Sequence, residues 1–135
     1  MIIKSSDNKR YIDIGSYTIW YALYSTVKSR LSQSESLFPN AIEFLKTCRC
    51  EPNLAQKTAK QINLIRDHLS SIPPEKAICD IDHPQIDAPW KNSISPVVTS
   101  CANLFTTADG KDLLFELVSI LVYASLAKVS VETNG

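Results

Sequence analysis

The spacing of apolar residues changes from alternation to a helical period early in the chain. Two short apolar runs, Met1 to Lys4 and Arg10 to Ile14, flank a polar segment of turn composition and predict a β-hairpin. After Gly15 the apolar residues recur at helical spacing, which predicts a first helix over residues 17–31 with Ser16 as its cap. Its apolar stripe consists of Ile19, Trp20, Leu23, Tyr24, Val27 and Leu31.

Two more helices are predicted in the middle of the chain, after a polar linker over residues 32–36. Pro39 suits a first helical turn, and an apolar face begins with the residues that follow it. Pro52 opens a longer helix, which ends before Pro73 and Pro74 because proline cannot continue it. The apolar face of the shorter helix consists of Ile42, Leu45 and Cys48. The stripe of the longer one consists of Leu54, Thr58, Ile62, Ile65 and Leu69.

The most apolar segment lies near the C-terminus. Residues 113–127 are apolar except for one glutamate and two serines, so we expect a central helix that is buried on nearly every side. Its roughly 15 residues are too few to span a bilayer, which takes about 20. Asp109 is expected to cap this helix, and Asp112 is expected at its third position, where a carboxylate faces the positive end of the helix dipole.

Three short segments outside the hairpin are candidate strands: Ala77 to Ile81, Ala102 to Thr106 and Val129 to Thr133. Together with the helices they predict an α+β fold in which a small antiparallel sheet packs with about four helices and the C-terminal helix is central. The length suits a single domain over residues 1–135. We expect Leu114, Leu117, Val118 and Leu121 to be mostly buried.

Trp90 is expected to be structural. The preceding Pro89 restricts the chain, and a large indole in a polar loop usually covers the core and donates its N–H to a carbonyl. If the ring is buried, Trp90→Ala should cost about 3 to 5 kcal/mol. A loss below about 1 kcal/mol would favour contact with a partner.

Charge is distributed unevenly along a chain of zero net charge. Residues 1–66 hold ten Lys and Arg against five Asp and Glu, whereas residues 67–110 hold two against six. No Lys or Arg lies between Lys76 and Lys91, so we expect this loop to carry an uncompensated negative charge and to present an acidic face to a basic partner. The predicted partner-binding residues are Asp80, Asp82, His83, Gln85 and Asp87. Two alternatives stay open: a solvated face without a partner, and Asp80 and Asp82 as residues that cap turns.

Motifs for catalysis or nucleotide binding are missing. No GxGxxG, GxxxxGK[ST], GxSxG or HExxH string occurs, and three glycines leave little material for a phosphate-binding loop. The enzymatic alternative is a small hydrolase or transferase with Asp80, Asp82 and His83 at a cleft. The non-enzymatic hypothesis is favoured, with no cofactor, no nucleic-acid partner and no membrane partner, and with the oligomeric state left open.

The cysteines favour neither a metal site nor a disulfide. Cys48, Cys50 and Cys79 would have to join His83 in a zinc site, but C-x-C is not the usual zinc spacing. We therefore expect no metal, and Cys79 and Cys101 as small apolar residues of the core. The N-terminal residues MIIKSSDNKRY contain no apolar region of signal-peptide length, so we expect a cytoplasmic protein.

Several strings in the second half of the chain carry a family resemblance. They are PPEKAICDID, APWKNSIS and TSCANLFTTADGKDLLFELVSIL. Their pattern resembles that of bacterial immunity protein family 70. The matching residues are Pro89-Trp90, Asn92-Ser93, and the string from Phe105 to Leu113, which is followed by a helix to Lys128. That family occurs in polymorphic toxin and contact-dependent growth inhibition systems. The N-terminal part, from Ile14 into the Trp20 helix, is similar only loosely.

The resemblance implies a non-enzymatic antitoxin that binds and blocks a cognate toxin domain and so protects the producing cell and its siblings. Such a domain is typically the C-terminal part of a contact-dependent growth inhibition effector. Many of these toxins are nucleases with basic substrate grooves, and an acidic surface can take the place of the phosphates that such grooves attract. The matching strings are themselves explained by packing and capping, so they do not locate the surface that contacts the toxin.

Overall fold

A computed structural model describes residues 1–134, and so leaves out Gly135, the last residue of the predicted domain. The strands are β1 (Ile2–Ser5), β2 (Tyr11–Asp13) and β3 (Val131–Thr133). The helices are α1 (Tyr17–Arg30), α2 (Ser34–Leu37), α3 (Pro39–Thr47), α4 (Pro52–Leu69) and α5 (Leu113–Ala127). Within the described range, the helices are too short or too polar to cross a membrane. The α+β class is confirmed; α2, a single turn in the expected polar linker, was not predicted.

The sheet is antiparallel, with β1 between β2 and β3. Ile3 lies opposite Ile12 in one pair and opposite Thr133 in the other, which confirms both the hairpin and the C-terminal strand. Ile3 and Ile12 are buried because alternate residues of a strand face the core. The hairpin turn is fastened to α5, since the Tyr123 hydroxyl donates to Asp7 Oδ2 at 2.6 Å.

Helix α5 contacts both the longest helix and the sheet. It packs mainly against α4 and also contacts each of the three strands, which confirms its predicted central position. Its buried residues are Leu113, Leu114, Leu117, Ile120, Leu121 and Ala124, and Val118 is half-buried.

The expected burial of α5 on nearly every side is wrong. Phe115, Val122 and Leu126 are 56%, 43% and 80% exposed and lie along one face of the helix. The sheet and α4 cover the opposite side. The expected cap is also wrong, because the helix begins after Asp112, whose side chain accepts from Phe115 N at 3.2 Å. Asp109 instead accepts from the Thr107 hydroxyl at 2.5 Å, in the turn before the helix.

Two predicted strands are also wrong. Ala77 to Ile81 is irregular because its backbone bonds to side chains of α1 and not to a neighbouring strand. Ala102 to Thr106 forms turns that end in an isolated bridge between Thr106 and Asp112. On α4 the predicted stripe is buried except at Leu54, which is 40% exposed; Ala55 and Ala59 are buried in addition.

Trp20, and not Trp90, is the indole that the core encloses. Trp20 is fully buried, contacts Phe44 edge to face at 5.5 Å and donates its N–H to Leu45 O at 2.7 Å. That carbonyl lies in the last turn of α3, where carbonyl groups have no partner within the helix. Trp90 is half-buried against the edge of the core, and its N–H has no acceptor among the described residues, so its expected bond to a carbonyl is wrong.

The Trp20 bond predicts an asymmetry between the two indoles. Trp20→Phe should lower the free energy of unfolding by roughly 2 kcal/mol, because it strands a buried carbonyl and leaves a small void. Urea unfolding followed by far-UV circular dichroism measures this loss. The matched control is Trp90→Phe, which removes the same N–H without stranding an acceptor and should cost less than about 1 kcal/mol. Equal losses for the two variants would contradict the role given to the Trp20 bond.

Candidate functional site

A long irregular segment, residues 70–112, connects α4 to α5. Its only helical parts in the described structure are two single 3-10 turns, Pro74–Lys76 and Lys91–Ser93. Irregular segments longer than about 12–15 residues are uncommon in compact domains and are frequently binding loops. All five predicted partner-binding residues lie in this segment.

Polar side chains of α1 hold the first part of the segment. Thr26 Oγ1 donates to Ile78 O at 3.1 Å and accepts from Ile78 N at 3.0 Å. Ser25 Oγ accepts from Ile81 N at 3.0 Å, and Arg30 Nε donates to Lys76 O at 2.7 Å. The segment therefore runs antiparallel to α1. The Ile78 side chain is buried, and together with the hydrogen bonds it fixes this part of the loop to α1.

Asp80 and His83 form a turn on this fixed part. Asp80 Oδ1 accepts from Asp82 N at 2.9 Å, and His83 N donates to Asp80 O at 3.1 Å. The second carboxylate oxygen of Asp80 lies 3.2 Å from His83 Nδ1. Asp80 thus shapes the turn, as one of the alternatives anticipated, and presents its charge next to His83 in the same arrangement.

The other predicted residues are spread over the surface that follows. Asp82 Oδ2 accepts from the Tyr21 hydroxyl at 3.2 Å, which ties the loop to α1 once more. Gln85 is exposed. Asp87 is also exposed, with Oδ1 2.9 Å from Lys91 Nζ. The expectation of an uncompensated acidic loop is therefore wrong at Asp87, since the chain turns back and places Lys91 beside it.

A groove of about 320 Å³ opens between α1 and the segment. Its walls are mostly apolar, with Asp80 and Asp87 among its lining residues. The remaining lining residues are Tyr17, Thr18, Tyr21, Cys79, Ile86, Pro89 and Trp90. Tyr17 is 54% exposed and Ile86 is 53% exposed, so apolar area is available to a partner. We call this feature the acid-rimmed groove.

The local electrostatics keep the Asp80 carboxylate in the groove ionised. The Asp82 backbone N–H, together with His83, holds the pKa of Asp80 below its usual value. Burial, followed by the hydrogen bond and charge of Asp82, raises the pKa of the Tyr21 phenol to about 12. The groove therefore presents negative charge at neutral pH, with Tyr21 as a neutral donor.

The same geometry bears on the enzymatic alternative. Asp80, Asp82 and His83 are neighbours, but Asp82 bonds to Tyr21 while Asp80 bonds to His83. A general acid or base works best when its pKa lies near the working pH. The pKa of Asp80 is instead lowered, which moves it further from neutral pH. This arrangement does not favour a hydrolase or transferase.

Neither the cysteines nor the carboxylates form a metal centre among the residues that the structure describes, since no three potential ligands converge there. Cys101 is buried, and burial raises the pKa of its thiol to about 11. Cys79 is half-buried and packs at the edge of the core. Cys101 is therefore the small core residue that was expected, whereas Cys79 lies at the edge of the core and also lines the groove.

Sequence reasoning found the acidic rim but missed the apolar walls. Tyr17 and Tyr21 lie one turn apart on α1, at 6.1 Å between ring centroids, and both lie off the buried stripe that contains Trp20. This spacing was the available signal. Ile86 and Trp90 lie in the irregular segment, where no periodicity indicates which side chains face solvent.

A family model described as immunity protein 70 matches residues 5–133 of this chain. The matched range contains all five helices and the complete segment from α4 to α5, so it extends well beyond the C-terminal strings that carry the resemblance. No curated protein and no solved structure matches the chain.

The bond between Tyr21 and Asp82 can be tested by titration. The folded-state pKa of Tyr21 lies above its ordinary value of 10, through burial first and the bond to Asp82 second, so the neutral phenol contributes stability below pH 10 that is lost as the pH rises toward 12. Asp82→Asn should move the Tyr21 midpoint, followed by NMR of its ring, down toward the ordinary value. Asp67→Asn on α4 is the control and should leave it in place. An unchanged midpoint in Asp82→Asn would show that the carboxylate does not act on this phenol.

Proposed function

Because the chain belongs to the immunity protein 70 family, we propose that it is an immunity protein that binds a cognate bacterial toxin domain and neutralises it through protein–protein interaction, without catalysis. The observation that carries the proposal is the acid-rimmed groove, whose walls come from a helix and from a loop bonded to that helix. A surface of this kind combines exposed aromatic area with preset charges, as protein interfaces do.

The proposed interface contains the five residues predicted from the sequence together with the apolar walls. Asp80, Asp82 and Asp87 supply the charge, and His83 and Gln85 supply adaptable hydrogen bonds. Tyr17 and Trp90, which lie in the walls, supply area that is removed from water on binding. The bonds from residues 76–82 to α1 already order that part of the loop, so its ordering costs little entropy when the partner binds.

We further propose the C-terminal domain of a contact-dependent growth inhibition effector as the toxin, and the cytoplasm as the place where it is met. A nuclease fits the charge of the groove best, because its substrate site is basic. Acidic groups on the immunity protein would then occupy the region that attracts phosphate.

Replacing the three carboxylates tests this interface. The variant Asp80→Asn, Asp82→Asn, Asp87→Asn removes three charges, while asparagine at position 80 can still accept the hydrogen bond that shapes the turn. Its affinity for the cognate toxin domain should fall about tenfold or more, chiefly through slower association, and its salt dependence should weaken. Surface plasmon resonance at two salt concentrations measures both quantities.

The control is a charge-matched variant that leaves the groove intact: Glu43→Gln, Asp67→Asn, Glu116→Gln. These residues lie on α3, α4 and α5 and do not line the groove. If both triple variants lose affinity equally, net charge and not the groove controls association. Unchanged affinity and salt dependence in the groove variant would exclude this surface, and a toxin domain that does not bind the wild-type protein would exclude the function itself.

A further inference from the structure

We propose that the acid-rimmed groove receives one arginine side chain of the partner, with its guanidinium stacked on Tyr17 and paired with Asp87. This inference rests on the proposed function, since the arginine would belong to the bound toxin. It identifies the chemical group at the centre of the interface, where binding energy is usually concentrated.

The aromatic wall supplies the stacking surface. Tyr17 and Tyr21 stack at 6.1 Å with an interplanar angle of 20°, and Tyr24 continues the row at 6.2 Å from Tyr21. Tyr17 is the outermost ring of the row and more than half exposed, so a ring face is open to a ligand. A cation over such a face is attracted by the ring quadrupole, and arginine also stacks flat upon it.

The carboxylates supply the charge. Among the residues that line the groove two are aspartates and none is basic. Lys91 lies just outside the groove beside Asp87, and His83 lies beside Asp80. The Asp87 side chain is 71% exposed and its pair with Lys91 is therefore a weak surface pair, which an arriving arginine can replace. Asp80 is fixed by the hydrogen bonds of its turn, so it attracts the guanidinium through its negative charge more than through a direct contact.

Size and shape favour a single side chain over a larger element. The groove volume of about 320 Å³ lies at the lower end of the range of about 300–1,000 Å³ that is usual for ligand sites. A guanidinium matches its flat aromatic wall and can form two parallel hydrogen bonds to a carboxylate. The ammonium of lysine is not planar and cannot form the two parallel hydrogen bonds.

The test uses small probes on the isolated protein, so it does not need the toxin. N-acetylarginine amide is titrated against labelled protein while the Trp90 indole N–H and the Tyr17 ring are followed by NMR. The comparison probes are the neutral citrulline derivative, which has the same shape without the charge, and the lysine derivative. The arginine probe should give saturable shifts and bind about tenfold tighter than the citrulline probe.

Two variants locate the binding in the groove. Tyr17→Ala and Asp87→Asn should each weaken the arginine probe about fivefold or more, with an otherwise unchanged amide spectrum as evidence of folding. The controls are Tyr11→Ala and Asp67→Asn. Tyr11 is 71% exposed and lies on β2, outside the groove, and neither control should alter the binding.

Each outcome decides the inference. Equal affinity for the arginine and citrulline probes, or shifts that do not saturate, would overturn it. A preference for the lysine probe would overturn the choice of arginine. If the toxin domain binds through the groove but the arginine probe does not, the inference fails while the proposed function stands. If the probe binds but the toxin domain does not, the groove takes an arginine side chain, while the proposed function fails and with it the toxin as the source of that side chain.

Discussion

The two hydrogen bonds between the Thr26 hydroxyl and the backbone of Ile78 determine where the irregular segment lies. Both residues are buried, so the amide and carbonyl of Ile78 have lost their water and need partners in the protein. A neighbouring strand would normally provide them. Here the Thr26 side chain on α1 provides both partners. The Ser25 hydroxyl likewise accepts from the backbone N–H of Ile81. These bonds hold the segment beside the helix that carries Tyr17 and Tyr21, and the groove lies between the two.

The elements that the sequence predicts well are those whose apolar pattern is set by one buried face. The boundaries of α1, α3 and α4 follow from such stripes and from Ser16, Pro39 and Pro52. Residues 77–81 show the limit of this reasoning. Their apolar residues favour an extended backbone, but a strand also needs a partner, and nothing local distinguishes a strand partner from the side chains of a distant helix.

The site was predictable in its charge and not in its apolar walls. A run without lysine or arginine is visible in any sequence, whereas the burial of an indole depends on long-range packing. Trp20 and Trp90 illustrate the point, because both are large rings near polar residues. Phe44 packs against Trp20 and the carbonyl of Leu45 accepts its N–H, whereas the N–H of Trp90 meets no acceptor in the described part of the chain. Trp20 is therefore enclosed by the core, and Trp90 packs only against its edge.

The part of the segment that follows the anchors on α1 is bonded differently from the part before it. The side-chain and backbone hydrogen bonds that the described structure shows for residues 83–99 all run to residues 79–103, so this stretch makes no such bond to the rest of the fold. Substitutions there leave the anchors at Thr26 and Ser25 intact. Lengthening such a loop also costs little, since closure entropy grows slowly with length. Substitutions and insertions in this stretch can therefore remodel one surface of the protein while the scaffold beneath it is inherited unchanged.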